Sequence, residues 1–404
     1  MTQALELGGP DAPLTTERPR RERVRRRLRS IDSLVLLGAL SVLSLSFYYG
    51  WFHDGTHPIG GKGWADQTLY THVAIRLRNG HLPTASDLHF APGYSMLGAL
   101  GTFASRFDPF WIVSYGLLMG SATFLYRGSR AMFDPCWSAL FLASLFVWDL
   151  HARTLATASE LFTVPWNNQP LFFAFAFFFW LYARARTATL DLARLLAIGA
   201  IVGLLSITRE ESVLFCVPLA AVYLAAKRAP LKGWLTSAAA AVVVALPGLL
   251  MKQHALGSIF KVGSTRPGNS YSGQADRYFS IHHFGRNVLD VLINSNFARV
   301  APGRDAVLQS EPWLWIGFAG VVIVFVSKRY DWLMKVYVAA SMLLIAFYLS
   351  GDNVSAAKLK LHCIRYLTPG LIALHFGVIV VLAEGWRRLR AHGRSGGRAS
   401  VSSS

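Results

Sequence analysis

Residues 34–52 read LVLLGALSVLSLSFYYGWF, an apolar run that ends in aromatic residues. A helix of this length extends about 28 Å, close to the roughly 30 Å of hydrocarbon in a bilayer. The preceding residues 18–27 read RPRRERVRRR, and such positive charge favours the cytoplasmic side of a membrane. No small-residue cleavage site follows the run, so we interpret it as a retained membrane anchor with a cytoplasmic start.

The composition extends this interpretation to the whole chain. Of its 404 residues, 53% are hydrophobic and 15% are charged, and the mean hydropathy is +0.37. The net charge of +18 lies largely in two tails and in short loops, which indicates membrane topology and contacts with anionic lipids rather than nucleic acid. Three scattered cysteines, Cys136, Cys216 and Cys363, have no metal-binding spacing and are interpreted as packing residues.

The sequence predicts an all-α, polytopic transmembrane bundle of about ten or eleven membrane helices. The apolar segments are residues 33–52, 90–105, 109–126, 136–150, 168–185, 195–208, 211–226, 233–251, 313–327, 332–350 and 365–386. Because both tails are basic, the number of crossings should be even. Segment 90–105 is short and begins with Pro92-Gly93, so we expect a re-entrant or interfacial helix there and ten crossings elsewhere.

This topology predicts three regions in the chain. Residues 1–30 and 391–404 are basic and poor in apolar residues, so we expect disordered cytoplasmic tails around a membrane domain at 31–390. On the outer face we expect a first loop at 51–89 and a long loop at 252–312. The helical spacing of Ile281, Phe284, Val288 and Leu292 predicts an amphipathic surface helix in the long loop. This topology corresponds to a bacterial-type inner (plasma) membrane protein.

Three motifs lie on this predicted outer face. Asp66 opens an amphipathic stretch that ends at Asn79-Gly80, and residues 89–94 (HFAPGY) then begin an apolar helix. Residues 208–211 read TREE between two apolar segments, and residues 365–369 read RYLTP before the last one. Together these motifs resemble those of the GT-C class of integral membrane glycosyltransferases, including polyprenyl-phosphate-dependent mannosyl- and arabinosyltransferases. Where that family often has an adjacent acidic pair, this chain has Asp66-Gln67.

The resemblance implies an inverting glycosyltransferase of the cell envelope, which moves a sugar from a polyprenyl-phosphate donor to a glycan, lipid or protein acceptor. It implies Asp66 as the catalytic base and Glu160 as a second acidic residue that could hold a divalent cation, Mg²⁺ or Mn²⁺, with it. His89 and Tyr94 would orient a substrate. The donor phosphate would contact four cationic residues: Arg209, Lys358, Lys360 and Arg365.

Chemistry supports these residue types independently. A carboxylate can accept the proton of an attacking hydroxyl, and cations can stabilise a departing phosphate. Arginine suits phosphate because its planar guanidinium donates paired, charge-assisted hydrogen bonds.

Each assignment has a structural alternative. Asp66 could only cap the helix that follows it, Asp54 is a rival base, and Ser159-Glu160 could only cap a helix. Arg209 could form an internal ion pair with a neighbouring glutamate, and Lys358 and Lys360 could contact lipid headgroups alone. His282-His283 has no metal-ligand spacing by itself.

Two other functions remain open from the sequence. A transporter or lipid flippase would have repeated halves and charges near the bilayer midplane. A lipid-linked oligosaccharide ligase or polymerase would use Arg286, His282 and His283 of the long loop and would not need Asp66.

Overall fold

The computed structural model describes residues 17–53, 65–88, 90–105, 108–146, 161–162, 165–260, 280–298, 305–351, 354–355 and 363–399. Within these ranges the chain forms helices and turns and no β-strand. The α-helices are α1 (Glu17–His53), α2 (Ala65–Arg78), α3 (Gly93–Gly101), α4 (Trp111–Ser129), α5 (Pro135–Phe146), α6 (Gln169–Ala183), α7 (Leu192–Thr208), α8 (Val213–Ala226), α9 (Leu231–Leu256), α10 (Ile281–Asn287), α11 (Val307–Ser310), α12 (Leu314–Val326), α13 (Trp332–Leu349) and α14 (Thr368–Ala399).

Each of the eleven predicted apolar segments overlaps one of these helices, so the all-helical fold class is confirmed. Four helical segments are long and apolar enough to cross a membrane: Ser30–Phe52, Leu231–Leu256, Trp332–Leu349 and Thr368–Ala391. Helices α5, α6, α7 and α12 are also apolar but shorter. The helices thus agree with a membrane protein, while the number of crossings stays a prediction.

The four long segments differ in how deeply they are buried. Within the chain, 78% of the apolar window in α14 is buried, compared with 11% in α1 and 17% in α9. Leu34 and Leu45 of α1 and Val243 of α9 are among the large apolar side chains left exposed. Exposed apolar surface of this extent is unfavourable in water and favourable in hydrocarbon. Helices α1 and α9 are therefore expected to face lipid.

Polar contacts define two ends of the bundle. At the first, here called the basic end, Arg130 after α4 pairs with Asp32 of α1, Arg186 after α6 pairs with Asp331 before α13, and Lys227 after α8 donates to the carbonyl oxygen of Ala188, before α7. At the other, here called the far end, Tyr94 of α3 contacts Gln169 of α6, and Asn168 donates to the Arg365 carbonyl oxygen.

Ten of the described helices run between these two ends in alternating directions: α1, α4, α5, α6, α7, α8, α9, α12, α13 and α14. The start of the apolar segment in α1 and the end of the apolar segment in α14 therefore lie at the same end of the bundle, the basic end. This alternation agrees with the predicted even number of traversing segments, and it does not depend on which side of a membrane each end faces.

Helix α3 does not traverse the bundle. Its nine residues extend only about 13 Å, too short for a bilayer core. A Cβ on Gly93 would be 2.7 Å from the Ile207 carbonyl oxygen in the last turn of α7, and Gly98 lies against the ring of Phe110 at the start of α4. The short helix expected in segment 90–105 is present, and its re-entrant or interfacial position in a membrane stays a prediction.

Helices that are second neighbours in sequence pack in parallel through glycine. Gly199 and Gly203 of α7 lie directly against the backbone of α9, and Gly320 of α12 lies against Gly377 of α14. A Cβ at Gly320 would clash with the carbonyl oxygen of Gly377. Small residues permit such close approach, which is how helices associate where water supplies no hydrophobic drive.

Both tails differ from the expected disorder. Helix α1 begins at Glu17 and helix α14 continues to Ala399, so helix replaces part of each predicted tail. Adding residues to an existing helix avoids the cost of nucleation, and arginine, leucine and alanine favour the helical state. Residues 1–16 and 400–404 lie outside the described residues.

The long loop also begins and folds differently from expectation. Helix α9 continues past residue 252 to Leu256, so the loop begins later. The predicted amphipathic helix forms as α10 and a π-helical turn at Val288–Ile293. It docks on the end of α13, where Asn287 donates to the Leu349 carbonyl oxygen at 2.8 Å. Its first apolar residue, Ile281, is exposed and Leu292 is buried.

The three cysteines are not alike. Cys216 and Cys363 are buried, as expected of packing residues, whereas Cys136 at the start of α5 is exposed.

Candidate functional site

The turn between α7 and α8 positions the first candidate residue. Helix α7 ends at Thr208, and Arg209 adopts an extended backbone before a single 3₁₀ turn at Glu210–Ser212. This change of direction releases the Arg209 side chain from the helix surface. The chain then enters α8 at Val213, so the turn projects three consecutive charged residues at the far end of the bundle.

Arg209 is buried, and each of its three guanidinium nitrogens has a polar partner. Its Nη2 atom lies 2.8 Å from Glu211, its Nη1 donates to Asn168 Oδ1 at 2.8 Å, and its Nε donates to the Tyr348 hydroxyl at 2.9 Å. Burial opposes its charge, but Glu211 and two tyrosines outweigh burial and raise the pKa of Arg209. The internal Arg–Glu pair is thus present, and contact with phosphate stays a prediction.

Arg365 lies against the same aromatic ring as Arg209, that of Tyr366. It occupies the 3₁₀ turn Cys363–Tyr366 before α14, with its Cζ atom 3.7 Å from the Trp166 ring centroid and 4.8 Å from that of Tyr366. The Cζ atom of Arg209 is 4.6 Å from the same Tyr366 centroid. We call these residues, with Tyr348, the arginine cluster: Trp166, Arg209, Tyr348, Arg365 and Tyr366.

Asn168 links the two arginines through its amide. Its oxygen accepts from Arg209, and its nitrogen donates to the backbone oxygen of Arg365 at 3.3 Å. Both arginine residues are largely buried, at 6% and 8% exposure. Two cations held on aromatic rings in a low-dielectric environment form a strong attraction for an anion with several oxygen atoms.

A second ion pair supports the same turn. Lys252, in the last turns of α9, is buried and pairs with Glu210. Burial raises the pKa of Glu210, and the contact with Lys252 opposes that rise. Lys252 therefore belongs to α9 and not to the long loop, whose predicted bounds of 252–312 included it. It fixes the turn that carries Arg209.

Tyr94 does not fit the predicted role in orienting a substrate. Its side chain is completely buried, its hydroxyl donates to Gln169 at 3.0 Å, and its ring stacks on Phe110 at 4.8 Å between centroids. The hydroxyl is already satisfied and the ring is packed against protein, so Tyr94 has no group left to offer a substrate in this arrangement. Tyr94 instead joins α3 to α6, directly beside Asn168.

Asp66 is described only through its backbone, at the second residue of α2. One turn later Tyr70 packs edge-on against Tyr94, with ring centroids 5.2 Å apart. The start of α2 thus lies at the far end, separated from Asn168 by the contacts of Tyr70, Tyr94 and Gln169. The geometry places residue 66 on the same end as the arginine cluster.

Within the described residues, Gln67 has a buried, unsatisfied side-chain amide, a feature that the sequence did not reveal. Its side chain is completely buried, and neither amide atom makes a hydrogen bond in the part of the chain that is described. Buried polar groups are rarely left without partners because desolvation is costly. An unsatisfied amide directly after Asp66 is the type of group that a ligand hydroxyl satisfies.

The segment that precedes residue 89 is held by one carboxylate. Asp87 accepts from the backbone nitrogen and the hydroxyl of Thr84 at 2.8 and 2.7 Å, and it lies 3.6 Å from both Arg76 and His72 of α2. Burial alone would raise its pKa, but the Thr84 hydrogen bonds and the electrostatic influence of Arg76 and His72 together lower it.

Four predicted site residues lie outside the described residues: His89, Glu160, Lys358 and Lys360. The rival base Asp54 also lies outside them. Among the residues that are described, no group of three or more His, Cys, Asp or Glu side chains could hold a metal ion. The predicted cation site at Asp66 and Glu160 therefore stays a prediction.

The structure shows where the residues named by the competing ligase hypothesis lie. His282, His283 and Arg286 all lie on α10, and Arg286 is exposed and pairs with Asp290 at 3.3 Å. Their helix docks on the far end of α13, the end from which Tyr348 enters the arginine cluster.

Sequence reasoning missed one buried ionisable pair. His375 of α14 lies within the last apolar segment, with its Nε2 atom 3.0 Å from Glu311 and its Nδ1 atom 3.2 Å from the Ser144 hydroxyl. Both His375 and Glu311 are almost completely buried. A lone histidine inside an apolar segment was the available signal, because ionisable residues are costly there.

Comparison of the chain with protein-family models, curated protein sequences and solved structures finds no match. The site is therefore interpreted from its own geometry and chemistry.

Proposed function

We propose that this protein is a GT-C-like membrane glycosyltransferase that uses a polyprenyl-phosphate sugar donor at the far end of its bundle. The observation that supports it best is the convergence of Arg209 and Arg365 on the ring of Tyr366. Two buried guanidinium groups on an aromatic platform suit a sugar phosphate, since cations attract the phosphate and aromatic rings pack against sugar rings. The far end would face the periplasm or cell exterior, and the basic end the cytoplasm.

In the proposed step, an acceptor hydroxyl oxygen forms a bond to the anomeric carbon of the donor sugar. The bond from that carbon to the phosphate oxygen breaks, and the electron pair leaves with the polyprenyl phosphate. Asp66 takes the hydroxyl proton, and Arg209 and Arg365 stabilise the departing phosphate, joined by Lys358 and Lys360. Glu160 would act beside Asp66, with Mg²⁺ or Mn²⁺ if a cation is used, and His89 would orient a substrate.

The ion pair between Arg209 and Glu211 sets a requirement for donor binding. Glu211 is partly exposed, whereas Arg209 is buried. A phosphate that enters the cluster can take the place of Glu211, and the displaced carboxylate then gains water. Glu211 thus balances the charge of Arg209 and aligns its side chain until the donor binds.

The test is sugar transfer by the purified protein in proteoliposomes that contain radiolabelled polyprenyl-phosphate sugars and extracted envelope acceptors. Asp66→Asn and Arg365→Gln should each reduce transfer at least 100-fold while thermal unfolding stays close to wild type. Arg286→Gln, which changes an exposed arginine at the same end, is the matched control. Normal transfer by Asp66→Asn would overturn the proposal, and loss of transfer only in Arg286→Gln would favour the ligase.

One observation favours a second candidate, ion-coupled transport. The His375–Glu311 pair lies inside the bundle, and buried ionisable residues in membrane helices often mark ion pathways. A transporter would move solute into sealed vesicles without forming a glycosidic product, and His375→Gln would abolish that uptake. Sugar transfer by His375→Gln at the wild-type rate would separate the two functions.

A further inference from the structure

The basic end of the bundle contains a polar cavity that the proposed reaction does not use. It has a volume of about 370 Å³ and lies between α1, α4 and the end of α6. Its lining includes Asp32 and Leu36 of α1, Arg127 and Arg130 at the end of α4, and Arg184 after α6. Cavities of this size are sufficient for a small ligand or a lipid headgroup.

The charges around the cavity are unbalanced. Arg130 is neutralised by Asp32, with Nε and Nη2 of the arginine 2.7 and 3.1 Å from the two carboxylate oxygens. Arg127 and Arg184 are exposed, and neither makes an ion pair with any residue in the described ranges. The lining therefore has two positive charges in excess, and two guanidinium groups keep their donors available for an anion.

Helix ends explain part of this arrangement. Arg127 is in the last turn of α4 and Arg184 directly follows α6, and cations are favoured at helix C-termini. That preference accounts for a cation at the C-terminus of α4 and of α6. It does not account for the cavity between these two C-termini, which is lined by both side chains and by the Asp32–Arg130 pair.

The apolar surface beside the cavity favours an anionic lipid over a soluble anion as its ligand. Leu36 contributes to its wall, and the adjacent Leu34 and Leu37 are exposed on the face of α1 that continues along the membrane segment Ser30–Phe52. A ligand in this cavity would contact Arg127 and Arg184 at the point along α1 where the exposed apolar surface begins. An anionic headgroup with acyl chains matches both features, whereas a soluble anion matches only the first.

We propose that this cavity binds the phosphate of an anionic phospholipid. Arg127 and Arg184 donate to the phosphate oxygens, and the acyl chains extend along α1. Basic pockets between membrane helices on the cytoplasmic side bind such headgroups by the same chemistry. The proposal depends on the membrane assignment and not on the glycosyltransferase reaction.

Thermal unfolding of the delipidated protein in neutral detergent tests the proposal. The probes are dioctanoyl phosphatidylglycerol, dioctanoyl phosphatidylcholine and inorganic phosphate. Phosphatidylglycerol should raise the Tm of the wild type, and Arg127→Gln/Arg184→Gln should lose that rise. Lys232→Gln/Lys328→Gln is the matched control, since it removes two exposed charges at the same end but outside the cavity, and it should keep the rise. Native mass spectrometry should show one retained anionic lipid in the wild type and none in the cavity variant.

Three results would overturn the proposal. An equal rise with phosphatidylcholine would show that any lipid suffices, and an equal rise with inorganic phosphate would assign the cavity to a soluble anion. A rise that persists in the cavity variant would place the lipid elsewhere. If the double variant does not fold, Arg127→Gln and Arg184→Gln alone should each weaken apparent phosphatidylglycerol affinity about 5-fold or more.

Discussion

The guanidinium groups of Arg209 and Arg365 lie against one ring, that of Tyr366, with Cζ atoms 4.6 and 4.8 Å from its centroid. Those two arginines come from turns far apart in the sequence, one after α7 and one before α14. Like charges in such proximity repel each other unless aromatic surface, carboxylates or an anion compensate. Glu211 lies 2.8 Å from Arg209 and supplies part of that compensation.

Tyr366→Leu should weaken donor binding because it removes the ring that aligns both arginines. Cation–π contacts stabilise by roughly 0.5–2 kcal/mol each, so we expect KM for the donor to rise roughly 3- to 30-fold with a smaller change in kcat. Steady-state sugar transfer at varied donor concentration measures both. Tyr366→Phe keeps the ring and should stay within about 3-fold of wild type. Equal KM values for Tyr366→Leu and wild type would contradict a binding role of the ring.

Gln67→Leu should separate stability from activity. Replacing a buried, unsatisfied amide with an apolar group of similar size removes a desolvation cost of about 1–3 kcal/mol, so the Tm should stay the same or rise. If a substrate hydroxyl satisfies the amide, transfer should fall about 10-fold or more. Thermal unfolding and transfer assays on the same preparation decide between the roles. A stabilised variant with full activity would exclude a role of Gln67 in binding substrate.

Gly320→Ala should destabilise the bundle because the added Cβ meets the Gly377 backbone, which cannot move without separating α12 from α14. We expect a loss on the order of 1–3 kcal/mol, as for overpacking elsewhere. Gly116→Ala is the matched control, since a Cβ there has no neighbour within 4 Å. It should be neutral or slightly stabilising through better helix propensity. Detergent denaturation curves should show a loss of stability for Gly320→Ala alone; an equal loss in both variants would contradict the proposed glycine contact.

Asp87 should stabilise the loop after α2 in a pH-dependent way. Its pKa is below the ordinary value of 3.8, so the folded state favours the carboxylate. That contribution is present above the unfolded pKa and is lost as the pH falls through the lower, folded pKa. Asp87→Asn should therefore have a lower Tm than wild type at pH 6, and the difference should shrink below about pH 4. A difference that is constant across this range would exclude the ionised carboxylate as its cause.

The helices could be predicted from the sequence because hydropathy and length determine them almost alone. All eleven apolar segments formed helix, and Arg130, Arg186 and Lys227, which follow three of these helices, lie at one end of the bundle. Helix boundaries near charges were less predictable. Helix α9 continues through Lys252 because Glu210, over forty residues earlier, compensates that charge inside the bundle.

The candidate site was predictable only where charge interrupts apolar sequence. Arg209 and Arg365 were singled out by the resemblance of their motifs to those of a known class, and each of these motifs borders an apolar run. Trp166 and Tyr348 could not be identified, since aromatic residues are common throughout the chain and their contact with arginine depends on distant elements. Tyr94 was misjudged for the same reason, because a tyrosine beside a motif gives no indication of its burial.

The parallel packing of α12 against α14, and of α7 against α9, has a consequence for how the chain is made. In each pair a helix of opposite direction separates the two partners in sequence. The ribosome synthesises the helices in order. The grooves at Gly203 and Gly320 therefore stay unfilled until α9 and α14, respectively, have been made and inserted. Biosynthesis should therefore pass through two intervals in which a glycine-lined groove is open to lipid or to a chaperone, and each closes only when the late partner arrives.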